Sequence, residues 1–250
     1  MSCQLFRSVL PVSELTSWHL KIDQAYERVE AIRQAEGLAA IPRVLPSNER
    51  FVPTASSFTV GAVFAENDTR KIFVVLEAAS VLATIRNNLG DAIACNVTQS
   101  WIRRQYPPGQ SPSMHAPHAW HQDGALGFDF MACGGRRLPA DALLHMMTVW
   151  IALDPCGVES PGLELVRGSV KMLIAPSELS DAVVRRRFHA ETFWRPVMEA
   201  GDALAFSGEV LHRTHVNAEM TKTRTSLELR FFSANDIPPR LKSDRFVPLF

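Results

Sequence analysis

Apolar residues recur every three or four positions near the start of the chain. Val12, Leu15, Trp18, Ile22, Tyr26, Val29 and Ile32 fall on one stripe. That spacing predicts an amphipathic helix over residues 12–35, opened by Pro11 and Ser13 and stopped at Gly37. Residues 38–57, with Pro42, Pro46 and Pro53, read as loop, and a second helix is expected from Ile72 to Leu89, stopped by Gly90. After Asp91 the helical period gives way to short β-like runs. Ile93–Tyr106 is rich in strand formers and ends on the turn signal Pro107-Pro108-Gly109. Met146–Leu153, Leu163–Val166, Ala203–Phe206, Glu209–His212 and Thr225–Phe232 read as further strands, and residues 178–190 as a short helix. Helices first and short strands with Gly/Pro turns afterwards predict an α+β fold, a sandwich or jelly roll with N-terminal helices packed on it.

With no internal repeat and no low-complexity linker, the 250 residues read as a single domain. Residues 1–91 are its mainly helical part, 92–235 its β core and 236–250 a tail. A 46% hydrophobic, 21% charged composition is enough for a sizeable core. Lys+Arg and Asp+Glu are 26 each, so overall charge gives no pull towards nucleic acid or an acidic membrane, and neither is expected as a partner. Cys3, Cys95, Cys133 and Cys156 are scattered without a C-x-x-C pair and are expected as free thiols. Residues 1–20 carry Arg7, Pro11, Glu14 and His19 and lack the apolar run of a secretory signal. Met146–Leu153 is too short to span a bilayer. A cytoplasmic protein acting on a small molecule, as monomer or homodimer, is the expectation.

The densest chemical signal is Trp120-His121-Gln122-Asp123-Gly124. On a strand, residues two apart point to one face, so His121 and Asp123 aim an imidazole and a carboxylate at one point. Such a pair suits a borderline divalent metal but needs a third ligand. His212 and His215 are the candidates, and in a strand they face opposite ways, so one of them joins. Two histidines and one carboxylate leave positions open for co-substrate and O₂ at iron(II). A zinc hydrolase or isomerase can use the same three residues. A lone H-x-D is common, and most of the eight histidines are expected to be structural, with His115 and His118 solvated in a Pro/Ser-rich loop.

The surroundings of the pair carry a resemblance. Three blocks stand in order: Gln105-Tyr106-Pro107-Pro108-Gly109 with Trp120–Asp123; Met147–Asp154 with Pro161–Ser169; and Gly201–Phe206 with His212, Asn217 and Arg224. From about Val97 to Phe232 the chain resembles the phytanoyl-CoA dioxygenase family of iron(II)/2-oxoglutarate oxygenases. The resemblance implies a double-stranded β-helix with extra N-terminal helices, and Fe(II), 2-oxoglutarate and O₂ as cofactor and co-substrates. It implies His121, Asp123 and His212 as ligands, with Asn217 favouring His212 over His215. Arg224 matches the position that grips the far carboxylate of 2-oxoglutarate, with Arg230 the weaker match, and Thr214 and Thr148 are expected to add hydrogen bonds to it. The implied reaction hydroxylates an unactivated C–H and releases succinate and CO₂. Related halogenases carry a small residue where Asp123 stands, so halogenation is not expected. Arg167 and Val170 depart from the family pattern in a turn, and His215 is expected to touch substrate or a metal-bound water.

The stretch from Gly124 to His145 reads as a lid or binding loop, in which Arg136 and Arg137 are expected as a solvated basic turn. Arg103 and Gln105 stand on the strand leading to the pair and can face the pocket. Two other classes stay open at this point: the zinc hydrolase or isomerase, and a non-catalytic jelly-roll binding module. The first has no use for Arg224; the second has none for the triad.

Overall fold

The run Arg224-Thr-Ser-Leu-Glu-Leu-Arg-Phe-Phe-Ser alternates polar and apolar residues, the signature of a strand with two unlike faces. In the computed structural model it forms the long central strand β11 (Arg224–Ser233). Residues 3–35, 51–52, 56–110, 115–133, 138–139, 141–168 and 170–249 are described. The chain is mixed α/β, and every strand pairing among the described residues is antiparallel.

The large sheet holds β1 (Cys3–Phe6), β2 (Phe51–Val52), β3 (Ser57–Thr59), β4 (Ile93–Asn96), β5 (Trp101–Gln105), β6 (Met147–Ala152), β9 (Ala203–Ser207), β11 and β12 (Phe246–Leu249). Its main path runs β1-β9-β6-β11-β5-β3-β2, with β4 pairing both β11 and β12. A small sheet runs β10-β7-β8, from β7 (Gly162–Val166), β8 (Phe193–Trp194) and β10 (His212–His215). The helices are α1 (Val12–Ala35), α2 (Val60–Val63), α3 (Glu66–Ala78), α4 (Val81–Leu89) and α5 (Asp181–Arg187).

The apolar face of the large sheet meets the helices. Val149, Ile151, Ala203, Ala205, Leu227, Leu229 and Phe231 form one buried cluster with Trp18, Ile22, Val29, Ile72, Leu76 and Ile85. Burying each large apolar side chain there contributes roughly 1.5–3 kcal/mol. The α1 stripe is buried from Leu15 to Val29, whereas Val12, at the helix start, is 78% exposed. The opposite face of the same sheet is polar. On β11 it carries Arg224, Ser226, Glu228 and Arg230, in register with Arg103 and Gln105 on β5 and with Thr148, Trp150 and Ala152 on β6. That face looks onto the small sheet.

Three expectations change. The single helix over 72–89 is two helices bent by 88°. Ser80 takes a left-handed conformation (φ 60°) between them, a break that apolar spacing does not register. The run 93–106 is likewise two strands, interrupted by a turn in which the Asn96 carboxamide accepts from the amides of Thr98 and Gln99. The strand expected over 209–212 starts at His212 instead, because residues 207–210 turn, with Val210 N–H donating to Ser207 O. All four cysteines are free. Among the described residues no single helix is long and apolar enough to cross a membrane.

Candidate metal centre

His121 and His212 are joined by backbone: each donates its N–H to the other's carbonyl, at 2.9 and 3.0 Å. This bridge sets the H-x-D segment along the edge of β10. His121 alone is strand-like; Gln122 is extended, and Asp123 opens a single 3-10 turn (Asp123–Ala125). The expected strand is therefore reduced to one bridge, yet both side chains still converge. One ligand atom each from His121, Asp123 and His212 lies within 4.8 Å of the others. Among the described residues this is the one such cluster of three. His215, three residues after His212, points to the other side of β10, towards Arg195, Glu164 and Arg213, and not to the triad. The expected contact of His215 with substrate is thereby corrected: strand alternation sends it outward.

Local packing holds the segment still. Gln122, 3% exposed, donates to the carbonyls of Val170, Met172 and Glu209 and accepts from Ile174 N–H at 2.9 Å. Trp120 Nε1 donates to Asp181 at 2.9 Å. Gly124 donates to Gly208 O at 2.8 Å, and a Cβ at Gly124 would meet Leu143 at 2.6 Å and that carbonyl at 3.0 Å. A side chain there would have to displace Leu143 or that carbonyl.

The ligand atoms are also set electronically. His121 Nδ1 lies 2.8 Å from Ala119 O and His212 Nδ1 lies 3.0 Å from Val210 O. With Nδ1–H donating, each Nε2 keeps its lone pair for a metal. Desolvation, with His212 beside it, pushes the His121 imidazole down to about 3, so it is neutral at physiological pH. Burial would raise the Asp123 carboxyl, but Arg230, the two histidines and Thr148 outweigh it and hold it well below the usual carboxylate range. Arg230 Nη2 donates to Asp123 Oδ1 at 2.8 Å, and Thr148 Oγ1 donates to Oδ2 at 2.6 Å. An ionised carboxylate oxygen with one such bond retains acceptor capacity. Two imidazole nitrogens and one carboxylate are a donor set that fits a divalent transition metal.

A cavity beside the triad is lined by Arg103, His118, Thr148, Trp150, Leu163, Phe206, Thr214 and Glu228. Thr214 lines it. Thr148 faces it too, but its hydroxyl is bonded to Asp123, so it orients the carboxylate. His118 and His115 are not solvated as expected. His118 lines the cavity with its ring edge-to-face on His121, and His115 is 8% exposed against Tyr106. Burial, with Arg103 next in effect, lowers both imidazoles, His115 to about 4. Arg103 lines the cavity; Gln105 is buried at 1% exposure but does not. Arg136 and Arg137 lie outside the described residues.

Arg224 is 1% exposed. It donates Nε to Pro161 O at 3.1 Å and Nη1 to Ser226 at 2.5 Å, and its guanidinium lies 4.8 Å over the Trp150 ring. Burial pulls it down to about 10, and among the described residues no carboxylate lies within ion-pair distance of it. Family spacing ranks Arg230 only as a substitute for Arg224 and gives no role to Glu228 or Gln122. The alternation of charged residues along β11 is the available sequence signal for Arg230 and Glu228; Gln122 has none.

A family model described as Phytanoyl-CoA dioxygenase (PhyH) matches residues 18–224. No curated protein matches the sequence. Three solved structures are similar in fold. The epimerase SnoN, in complex with Fe3+, alpha ketoglutarate and nogalamycin RO, is 15% identical, with 95% of this chain and 86% of that one covered at a TM-score of 0.57. The non-haem alpha ketoglutarate dependent carbocyclase SnoK, from nogalamycin biosynthesis, is 16% identical, with 93% and 80% covered at 0.55. AviO1 from Streptomyces viridochromogenes Tue57 is 17% identical, with 95% and 92% covered at 0.57.

Proposed function

Because the chain belongs to the phytanoyl-CoA dioxygenase family, we propose that it is an iron(II)- and 2-oxoglutarate-dependent oxygenase that hydroxylates a C–H bond of a small molecule. The observation that carries this reading is the convergence of His121, Asp123 and His212 to within 4.8 Å, with both histidines turned Nε2-first. These three would hold iron(II). Bound there, iron and the keto acid supply the oxidising chemistry, with succinate and CO₂ as co-products. The two antiparallel sheets, with the triad between them, support the double-stranded β-helix that the family implies.

Arg224 supports 2-oxoglutarate as the co-substrate. A guanidinium without a carboxylate partner, buried on the polar face of the large sheet, is costly unless an anion completes it. Its orientation is fixed by Pro161, Ser226 and Trp150, so it meets a carboxylate without reorganising. Thr214, on the facing sheet, adds a hydroxyl to the cavity beside the triad. Asp123 is held from both sides by Arg230 and Thr148, which orients its oxygens towards the histidines. Trp150, Leu163 and Phe206 supply apolar walls that exclude water.

The test is succinate formation by anaerobically purified protein given iron(II), 2-oxoglutarate and air, beside an Asp123→Ala control. Iron-dependent succinate that disappears in the control is expected. Arg224→Gln is expected to weaken 2-oxoglutarate binding by about 10- to 100-fold, the loss of a charge-assisted pair. Failure of the iron-loaded protein to bind 2-oxoglutarate overturns the proposal and leaves zinc hydrolysis as the next reading to test.

A further inference from the structure

Arg103 stands apart from the other arginines of the site. Its residue is 5% exposed and it lines the cavity beside the triad. Arg224 donates to Pro161 and Ser226, and Arg230 donates to Gln99 and Asp123. Among the described residues Arg103 has no such hydrogen bond; its buried Nε lies 3.3 Å from Glu228 Oε1, its one ion-pair contact there, without the geometry of a hydrogen bond. Glu228 is shared, since Arg230 Nη2 also approaches it at 3.8 Å. A buried guanidinium left so incompletely bonded carries a desolvation cost that a ligand anion can offset.

The charges of the site point the same way. Arg103, Arg224 and Arg230 face two carboxylates, Asp123 and Glu228. A metal dication and a keto-acid dianion cancel, so the loaded site keeps one positive charge in surplus. Trp150, Leu163 and Phe206 add apolar walls, beside the hydroxyl-bearing Thr148 and Thr214.

From these observations we infer that Arg103 anchors the anionic group of the substrate, and that the substrate is a monoanion with an apolar body, a small carboxylic acid. This inference rests on the function proposed above. Arg224 takes the co-substrate and Arg103 the substrate. The two stand one above the other on the polar face, with Arg103 paired to Ser226 and Arg224 to Gln105 in the β5–β11 register. Glu228 keeps the Arg103 fork in place and, shared with Arg230, leaves it free to take a second acceptor.

The experiment uses protein loaded anaerobically with iron(II) and saturating 2-oxoglutarate, and follows the visible charge-transfer absorption of the iron–keto-acid chelate. Hexanoate and phenylacetate are titrated beside hexanamide and phenylacetamide. Each carboxylate is expected to shift the band saturably and to bind at least about tenfold more tightly than its amide. In Arg103→Gln that preference is expected to vanish, while 2-oxoglutarate affinity stays within about threefold. Arg103→Lys keeps the charge and is expected to retain part of the preference, which serves if the glutamine variant folds poorly. Equal binding of acid and amide by the unaltered protein overturns the assignment, as does no response to either acid. Loss of 2-oxoglutarate binding in Arg103→Gln moves Arg103 to the co-substrate and overturns it too. A carboxylate that extinguishes the band acts at the iron and likewise overturns the assignment. If no band forms at all, the oxygenase reading fails and the inference falls with it. A band without carboxylate preference defeats the inference alone.

Discussion

Replacing Thr148 by valine removes one hydroxyl and little volume. Thr148 is 1% exposed on β6, flanked in register by Phe206 and Arg230, and its hydroxyl donates to Asp123 Oδ2 at 2.6 Å. A hydrogen bond to a charged group is worth roughly 1.5–3 kcal/mol, and here the acceptor stays buried without it. We expect Thr148→Val to lose about 2 kcal/mol, or about 4–8 °C in Tm for a chain of this size. The carboxylate then rests on Arg230 alone, and loss of an outer-shell partner lowers metal affinity by about 10- to 100-fold. Thermal melts of metal-free protein read the first quantity. Competition for Mn²⁺ against a chelator reads the second without redox chemistry. Unchanged melting with metal affinity within about twofold would falsify the role given to Thr148. Intact metal affinity with weakened 2-oxoglutarate binding would instead return Thr148 to the co-substrate.

Two further outcomes follow from other parts of the site. His115, His118 and His121 all have folded pKa values lowered below the unfolded value of about 6.5, so the unfolded chain takes up their protons first. Stability of the metal-free protein is then expected to be full above neutrality and to fall from pH 6.5 towards pH 4, by up to about 1.4 kcal/mol per pH unit for each proton. The depressed Asp123 adds to the loss only below the unfolded carboxylate range, in the same direction. Urea midpoints measured between pH 7.5 and 5 check this; a flat profile, or no flattening in His115→Gln, contradicts it. Behind β10, the fully buried Glu164 carboxylate accepts from Arg185, Arg195 and Arg213 at 2.7–3.0 Å. The arginines are 22–48% exposed and can re-solvate, so Glu164→Ala is expected to cost about 3 kcal/mol, the low end for a broken buried pair. Thermal melts test this, and a shift under about 2 °C means that the hub is not stabilising.

The His121, Asp123 and His212 cluster was legible through the family resemblance around it, since a lone H-x-D is common, and the α1 stripe because burial repeats along it. What escaped depended on contacts between distant segments. Nothing in residues 72–89 marks Ser80 as left-handed, and the apolar residues on both sides continue the pattern across the break. Thr148 reads as an ordinary β-former until Asp123 is seen against it. Arg230 and Arg224 stand on one strand with the same alternation, so the sequence alone ranks them by family spacing. Their partners, Asp123 for one and Pro161 with Ser226 for the other, separate them. His118 reads as loop because Pro and Ser surround it, yet its backbone carbonyl accepts from Thr214 N–H at 3.0 Å, which draws the ring over the site.

The two-way backbone bridge between His121 and His212 has a kinetic consequence. It joins two segments far apart in the chain, with β6, β7, β8 and β9 between them. Contacts of such long sequence separation form late, because the entropy of closing the loop comes before any return. We therefore expect the ligand set to form after the folding transition state. An ion that binds it stabilises only the finished chain, which slows escape from the native state and leaves the rate of reaching it unchanged. On that expectation a metal held by the triad acts as a latch fitted after closure, and the lifetime of the folded molecule follows the metal supply more closely than its folding does.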